Sequence, residues 1–161
     1  MNIITIARQI AFNGPIITTI FSMYHLWDRP AYCLLYIFGV ILNLGTNTFL
    51  KQWIKQPRPD GYLHNIENAE VYAAKGQEYG MPSGHAQMVI YTLTYLILLG
   101  YDRTVILVVS LFSGATIIQR YLDNKHTPEQ LIVGSVVGGA LAWVLVYCKK
   151  LNLRGIVNKM Y

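Results

Sequence analysis

The chain has 161 residues, of which 53% are hydrophobic and only 13% charged, with a formal net charge of +5 and a mean hydropathy of +0.34. This balance excludes an ordinary soluble domain and indicates one membrane-embedded domain over residues 1–161. The basic residues lie at the ends of apolar segments without interleaved aromatics, so we expect no nucleic-acid binding. Cys33 and Cys148 form neither a metal-spaced pair nor a disulfide framework, and we expect free thiols.

The N-terminal segment is apolar but interrupted. Residues 3–12 are followed by Asn13-Gly14-Pro15, and a second apolar run then extends to Trp27. Two arrangements fit this pattern: a short interfacial helix followed by a short span, or one span kinked near Pro15.

Four further stretches contain no Asp, Glu, Lys or Arg, and each approaches the roughly 20 residues that a spanning helix needs. These stretches are residues 31–50, 84–100, 104–119 and 130–148. With the N-terminal segment they predict an all-α integral membrane protein, a bundle of five to six transmembrane helices. Asn43 and Asn47 share one helical face, and we expect them either to bond between helices or to line a wet cavity.

The long polar stretch at about residues 56–82 predicts an external loop, whose tyrosines suit a membrane interface. Residues 65–75 can form a short amphipathic helix there, and whether residues 60–79 act as a lid stays open. The basic residues at about 149–161 predict a cytoplasmic tail.

Counting the crossings puts Lys51, Arg120 and His126 at one membrane face. With Arg8 of the N-terminal segment left out, the two faces carry equal numbers of basic residues, but the balance changes when Lys51, Arg58 and Arg120 are set aside as ligand-binding groups. The positive-inside rule then places the tail in the cytoplasm and the site face in the lumen or outside.

Three of the basic residues lie at this face: Lys51 and Arg58 from one segment, and Arg120 from a distant segment. Three cations in one membrane-surface pocket are costly unless an anion of two or more charges binds there, and a phosphate ester or diphosphate meets that need. Taken singly, each can instead be a snorkelling interface residue.

The turn Gly80-Met81-Pro82-Ser83-Gly84-His85 opens directly into an apolar run. Ser83 supplies a hydroxyl, Gly84 permits close approach, and a helix N-terminus favours an anion. Ser83 can alternatively be only an N-cap. His85 lies in the first turn, where it can give a proton to a leaving oxygen.

His126 begins the last helix, and Gln130 lies four residues further on, so the amide can return to the imidazole. A histidine whose far nitrogen is held in one tautomer presents the other nitrogen as a nucleophile. Either histidine alone is more often a satisfied polar residue than a catalyst, but the convergence of three polar clusters favours catalysis.

Three motifs carry a family resemblance: Lys51-x6-Arg58-Pro59, Pro82-Ser83-Gly84-His85 and Arg120-x5-His126. Together they resemble the signature motifs of the type 2 phosphatidate phosphatase superfamily, whose membrane members share a helical-bundle core. The resemblance implies that His126 attacks phosphorus to form a phosphohistidine and that His85 protonates the leaving group. It implies no metal and no cofactor. It also implies that five residues hold the phosphoryl group: Lys51, Arg58, Ser83, Gly84 and Arg120.

The chain departs from the general family pattern at two positions. Gln119 stands where the third motif usually has Ser, and Gln130 stands where the family has Asp. An Asp would orient His126 and stabilise its cation, whereas an amide can only orient it. The His-Thr-x-x-Gln variant is nevertheless similar to the dolichyl-diphosphatase subgroup, as are Glu78 to Ser83, Gln87 and the Asn43, Gly45 and Asn47 set.

The sequence therefore predicts a membrane phosphatase that converts a polyprenyl diphosphate, with dolichyl diphosphate favoured, to the monophosphate. The expected location is the endoplasmic reticulum, with the site on the lumenal face. One alternative is a broader lipid phosphatase acting on phosphatidate, phosphatidylglycerophosphate or undecaprenyl diphosphate, and another is a non-catalytic lipid-diphosphate binder. A transporter is disfavoured because the polar residues gather at one face instead of the midplane. The expected partners are the lipid phosphate and membrane lipids, and the oligomeric state stays open.

Overall fold

The computed structural model describes residues 2–59 and 79–157, with side chains described as far as Leu151. Within these ranges the predicted all-α bundle is confirmed and comprises six helices. They are α1 (Ile3–Phe12), α2 (Gly14–Leu26), α3 (Pro30–Ile54), α4 (Gly84–Leu98), α5 (Arg103–Leu122) and α6 (Pro128–Val157).

The N-terminal segment is a bent pair of helices. α1 and α2 meet at Asn13 with an angle of 61° between them. The Asn13 side chain donates to the carbonyl of Gln9 (2.8 Å), and Pro15 at the start of α2 lacks the N–H needed to continue the hydrogen-bond ladder of α1.

The bend is fixed against α5. The Thr116 hydroxyl donates to the carbonyl of Ala11 at 2.9 Å, and a Cβ on Gly14 would overlap the same hydroxyl. The glycine therefore permits the close approach that holds the α1–α2 break beside α5.

Within the described ranges, three helices are long and apolar enough to cross a membrane: α3, α5 and the Pro128–Leu151 part of α6. The bent pair makes a fourth span if both helices cross together. α4 has 15 residues, a rise of about 22 Å against a hydrocarbon core of about 30 Å. Because α4 is too short to be counted as a full span, the described helices give fewer spans than the five to six predicted.

α4 lies at the centre of the bundle and packs most extensively against α6. Gly134 and Gly138 of α6 face it: a Cβ on Gly134 would lie 2.5 Å from the carbonyl oxygen of Ser83, and one on Gly138 would overlap that of Gln87. Small residues four apart let two helix backbones approach closely, and here they bring the start of α4 against the start of α6.

Tyrosines join α3 to α4 in the core. Tyr36, Tyr91 and Tyr95 are fully buried. The Tyr91 hydroxyl donates to the carbonyl of Tyr36 (3.1 Å), and that of Tyr95 donates to the carbonyl of Tyr32 (2.7 Å). These bonds satisfy the phenols inside an apolar cluster and set the register of the two helices.

The predicted loop and tail are described only in part. Pro57 and Tyr79 form an antiparallel bridge, whereas residues 60–78, with the predicted amphipathic helix at 65–75, lie outside the described residues. The first part of the predicted tail is helical because α6 continues to Val157. Cys33 and Cys148 are free thiols.

Candidate active site

The three polar clusters predicted to converge meet at one end of the bundle. The Arg58 Nη1 lies 3.3 Å from the His126 Nε2, which joins the segment after α3 to the segment before α6. The Ser83 N–H donates to the carbonyl of Gln130 (3.0 Å), and the Gln130 amide donates to the carbonyl of Pro57 (2.8 Å). These bonds bring together the end of α3 and the starts of α4 and α6, and the charge of Arg120, at the end of α5, acts on His126 as well.

His126 is 3% exposed, and its tautomer follows from its neighbour. The Gln130 amide nitrogen faces two acceptors, the Pro57 carbonyl (2.8 Å) and the Gln56 side-chain oxygen (3.3 Å). The amide oxygen therefore faces the His126 Nδ1 at 3.2 Å. Because this oxygen can only accept, Nδ1 carries the proton and Nε2 presents its lone pair on the Arg58 side.

Gln130 also caps α6. The Thr127 N–H donates to the side-chain oxygen of Gln130 (3.3 Å), and the Gln130 N–H donates to the Thr127 hydroxyl (3.4 Å). This reciprocal pair is a capping box, whose Ser/Thr-x-x-Glu/Gln spacing is visible in the sequence. Our sequence-based prediction gave Gln130 only the orienting role.

The site keeps His126 neutral. Burial, followed by the positive charges of Arg58, Arg120 and Lys51, lowers the pKa of His126 to about 2, against a smaller opposing effect of the Gln130 hydrogen bond. At neutral pH the imidazole is therefore uncharged and its Nε2 lone pair is available.

The three basic side chains turn into the bundle. The Lys51 ammonium donates to the carbonyl of Tyr79 (2.7 Å), and the Arg58 guanidinium donates to that of Lys125 (3.0 Å). Arg120 is 5% exposed. All three charges act on both His85 and His126, so they surround one site instead of snorkelling outward.

Ser83 occupies the N-cap position of α4, but its hydroxyl makes no capping bond. The side chain is fully buried, and its Oγ has no hydrogen-bond partner among the described residues. A buried unsatisfied hydroxyl costs about 1–3 kcal/mol, which a bound anion would relieve. The geometry therefore does not support the alternative in which Ser83 serves only as a cap.

His85 contacts a residue that the motifs did not predict. The Phe12 ring, at the end of α1, lies 5.3 Å from the His85 ring and 5.5 Å from the Arg120 guanidinium. It thus packs between two predicted site residues. Only the break at Asn13-Gly14-Pro15 signals in the sequence that a helix ends here.

The departure at Gln119 has a structural explanation. Its side chain donates to a carboxylate oxygen of Asp123, whose other oxygen lies 3.6 Å from the Arg8 Nε. Gln119 thereby helps to link α5 to α1 above Phe12.

A ladder of side-chain amides supports the turn before α4. Asn47 donates to the Pro82 carbonyl (3.1 Å) and to the Gln87 side-chain oxygen (2.7 Å), and Gln87 donates to the Asn43 side-chain oxygen (2.8 Å). Of the two roles expected for Asn43 and Asn47, bonding between helices is present, and both side chains also line a cavity next to Gly84 and His85. The ladder fixes the Ser83–Gly84 turn relative to α3.

The whole arrangement can hold a multivalent anion against a neutral imidazole. Among the described residues, no group of three or more His, Cys, Asp or Glu side chains is placed to hold a metal ion.

Comparison with known proteins identifies the class. The PAP2 superfamily model matches residues 32–154, more than half of the 161 residues, and the chain belongs to this superfamily. The resemblance carried by the three motifs is thereby confirmed.

Among curated proteins the chain is similar to dolichyldiphosphatases. It is 28% identical to Dolichyldiphosphatase 1 of Plecturocebus moloch over 151 residues, 82% of this chain and 60% of the relative. It is 28% identical to the Homo sapiens protein of that name over 138 residues, covering 74% and 55%. It is 31% identical to the Dolichyldiphosphatase of Saccharomyces cerevisiae over 122 residues, covering 68% and 49%. The chain spans about half to three-fifths of the length of these relatives, and no solved structure matches it significantly.

Proposed function

We propose that this protein is a membrane lipid phosphatase that removes the terminal phosphate of a polyprenyl diphosphate, with dolichyl diphosphate favoured. The observation that carries the proposal is the buried, neutral His126, whose Nε2 faces the Arg58 guanidinium. The names of the similar proteins support the choice of substrate.

The proposed phosphate cradle consists of Lys51, Arg58, Ser83, Gly84 and Arg120. The basic side chains balance the anion's charge, the Ser83 hydroxyl gains an acceptor, and the N-terminus of α4 supplies unpaired N–H groups. A Cβ on Gly84 would lie 3.1 Å from the Asn47 side-chain oxygen, so a side chain there would crowd the turn.

In the first proposed step the His126 Nε2 lone pair forms a bond to the terminal phosphorus. The bridging P–O bond breaks, and its electron pair stays on the leaving oxygen. His85, protonated once the charge of the bound diphosphate offsets the three cations, gives that oxygen a proton. The products are a phosphohistidine and the polyprenyl monophosphate. The His126 Nδ1 keeps its proton, which stays hydrogen-bonded to the Gln130 side-chain oxygen. This neutral amide disperses the new positive charge less than a carboxylate would.

In the second step His85, now neutral, takes a proton from water as the water oxygen attacks phosphorus. The N–P bond breaks, and inorganic phosphate leaves with the His126 lone pair restored. Neither step requires a group beyond the side chains of the cradle and the two histidines.

We propose one membrane-embedded domain over residues 1–161, with an external loop at about 56–82 and a cytoplasmic tail at about 149–161. The membrane is that of the endoplasmic reticulum, and the site faces the lumen. The support for the lumenal side is the charge balance between the two ends of the bundle.

The test is phosphate release by purified protein in detergent with EDTA, from dolichyl diphosphate and phosphatidate side by side. We expect faster release from dolichyl diphosphate and loss of at least about 10³-fold in His126→Ala. His25→Ala, at the other end of the bundle, is the matched control. Faster release from phosphatidate would refute the substrate assignment, and an active His126→Ala would refute the nucleophile.

The intermediate is tested with substrate radiolabelled in its terminal phosphate. Rapid alkaline quenching, which preserves N–P bonds, is expected to trap label on His126. A wild-type protein that binds the lipid but never releases phosphate would instead be a lipid-diphosphate binder.

A further inference from the structure

A cavity of about 370 Å³ adjoins the proposed site on the side of Gly84 and His85. Its apolar wall includes Phe12, Ile16 and Leu44, so it lies where the α1–α2 break faces α3 and α4. The volume falls at the lower end of the range for ligand pockets, about 300–1,000 Å³.

The position of the cavity matches the path of the leaving group. In the proposed reaction His85 protonates the leaving oxygen, and the remaining phosphate and then the polyprenyl chain extend from that oxygen. Because attacking and leaving atoms lie roughly in line at phosphorus, the lipid points away from His126. The cavity is lined by Gly84 of the phosphate cradle and by His85, and it is therefore the next space along this path.

The cavity leads to the lipid-facing surface of the bundle. Ile16 is 60% exposed and Leu44 57% exposed, and both lie on apolar segments that face the bilayer. A chain that starts at His85 can therefore pass Phe12 and continue between these two side chains into the membrane.

We infer that this cavity binds the first isoprenyl units of the polyprenyl chain and that Phe12, Ile16 and Leu44 select for that chain. The inference rests on the proposed function. A branched, apolar single chain fits an apolar cavity of this size, whereas phosphatidate would bring a polar glycerol backbone and two diverging acyl chains to the same wall.

The first test narrows the cavity with Ile16→Trp and, separately, Leu44→Trp. The measured quantity is the ratio of kcat/KM for a long polyprenyl diphosphate to that for methyl diphosphate, which has no chain. We expect the ratio to fall about tenfold or more in each variant. A difference of one methylene group in a hydrophobic pocket already changes kcat/KM by about 10–200-fold. The control is Leu111→Trp, on the equally lipid-facing Leu111 of α5 (64% exposed), which should keep the wild-type ratio.

An unchanged ratio in both cavity variants, or an equal fall in Leu111→Trp, would overturn the inference. An equal loss of both substrates would do so as well, because it would make the cavity a support of the cradle and not a chain site.

The second test does not depend on turnover. A polyprenyl diphosphate with a diazirine on its second isoprenyl unit is photolysed with the His126→Ala variant, and the labelled peptides are identified by mass spectrometry. We expect label within residues 12–16 or at Leu44, displaced by excess unlabelled polyprenyl diphosphate. Label elsewhere on the protein refutes the cavity as the chain-binding site, even if the phosphatase activity is established. Label at the cavity residues without any turnover by the wild type refutes the phosphatase activity alone.

Discussion

Gln130 holds His126 in a way that a carboxylate cannot. Its amide donates to the Pro57 carbonyl (2.8 Å) while its oxygen faces the His126 Nδ1 (3.2 Å) and the Thr127 N–H. A carboxylate would face the Pro57 carbonyl with a second acceptor. The amide therefore satisfies these neighbours but leaves no negative charge beside the imidazole to oppose the effects of burial and of the surrounding cations on the pKa of His126.

The first prediction concerns the protonation state of His126. Because its pKa is lowered to about 2, we expect its ring ¹⁵N signals to remain those of a neutral, Nδ1-protonated imidazole from pH 8 to pH 4. In Gln130→Glu the new charge should raise this pKa and bring the titration into that window. Histidine-labelled protein in detergent gives the measurement, with His126→Asn to assign the signal.

The same shift has a defined effect on stability. An unfolded chain binds this proton near pH 6.5 and the folded protein near pH 2, so the unfolded state holds more protons between these values. The free energy of unfolding therefore falls as the pH is lowered from 6.5. A His126 signal that titrates near pH 6.5 in the wild type would contradict the neutral buried imidazole.

The second prediction concerns Ser83, whose buried hydroxyl has no partner among the described residues. Ser83→Ala should leave thermal stability unchanged or slightly higher, because no hydrogen bond to protein is lost. It should weaken inhibition by vanadate about tenfold or more, since a hydrogen bond to a charged group contributes about 1.5–3 kcal/mol.

Ser113→Ala is the matched control for this substitution. The Ser113 hydroxyl is also buried, but it donates to the Val109 carbonyl at 2.7 Å and lies away from the site. Its removal should not change the vanadate constant. An unchanged vanadate constant in Ser83→Ala would remove Ser83 from the proposed cradle.

At the scale of helices, the pairing of α4 with α6 decides whether the site forms. Gly134 and Gly138 let the α6 backbone touch Ser83 and Gln87 of α4. The α4 turn consequently reaches Gln130, whose carbonyl accepts the Ser83 N–H (3.0 Å). Neither glycine takes part in the proposed chemistry, yet through these backbone contacts they set the distance between the cradle and His126.

The third prediction compares neighbouring glycines of α6. Gly138→Ala would place a methyl group on the Gln87 carbonyl, whereas a Cβ on Gly139 meets only the Thr94 hydroxyl at 3.6 Å and the Ile90 side chain at 3.8 Å. We expect Gly138→Ala to lose about 1–3 kcal/mol of stability and much of its phosphatase activity. Gly139→Ala should match or slightly exceed the wild type, because alanine favours a helix.

Thermal unfolding in detergent and phosphate release by the same preparations provide the readouts. Equal behaviour of the two variants would show that the close contact of α4 with α6 does not control the site.

Local patterns in the sequence were enough to predict the helices after Pro30, and they nominated the residues that the structure brings together at one end of the bundle. Uncharged runs mark the spans, and the Arg120-x5-His126 spacing marks the loop between α5 and α6. The capping box at Thr127 and Gln130 and the small-residue pair at Gly134 and Gly138 are also visible there, but which face they serve depends on the packing. Phe12 carries no motif, and its position beside His85 follows only from the three-dimensional contact of α1 with α5.

At the scale of the whole molecule, the two ends of the bundle use their basic residues differently. At the site end, Lys51 and Arg58 bond to backbone carbonyls inside the pocket, and Arg120 is buried. At the other end the Arg29 guanidinium lies over the Tyr101 ring, 5.0 Å from its centre. The Lys150 ammonium donates to the carbonyl of Leu98, the last residue of α4 (2.9 Å). With the three site cations set aside, the remaining balance of basic residues favours the proposed cytoplasmic position for the end opposite the site.

The last prediction tests the sidedness of the membrane protein with cysteines at the two ends. Cys148 is exposed near the end of α6 opposite the site, and Tyr121, 56% exposed, lies near the end of α5 at the site. In sealed microsomes, whose outer surface is cytoplasmic, an impermeant maleimide should label Cys148 directly. In a Cys33→Ala, Cys148→Ser background, Tyr121→Cys should react only after detergent opens the vesicles. The unmodified double variant controls for background labelling. Labelling of Tyr121→Cys in sealed vesicles, with Cys148 protected, would put the site on the cytoplasmic side and overturn the argument from charge balance.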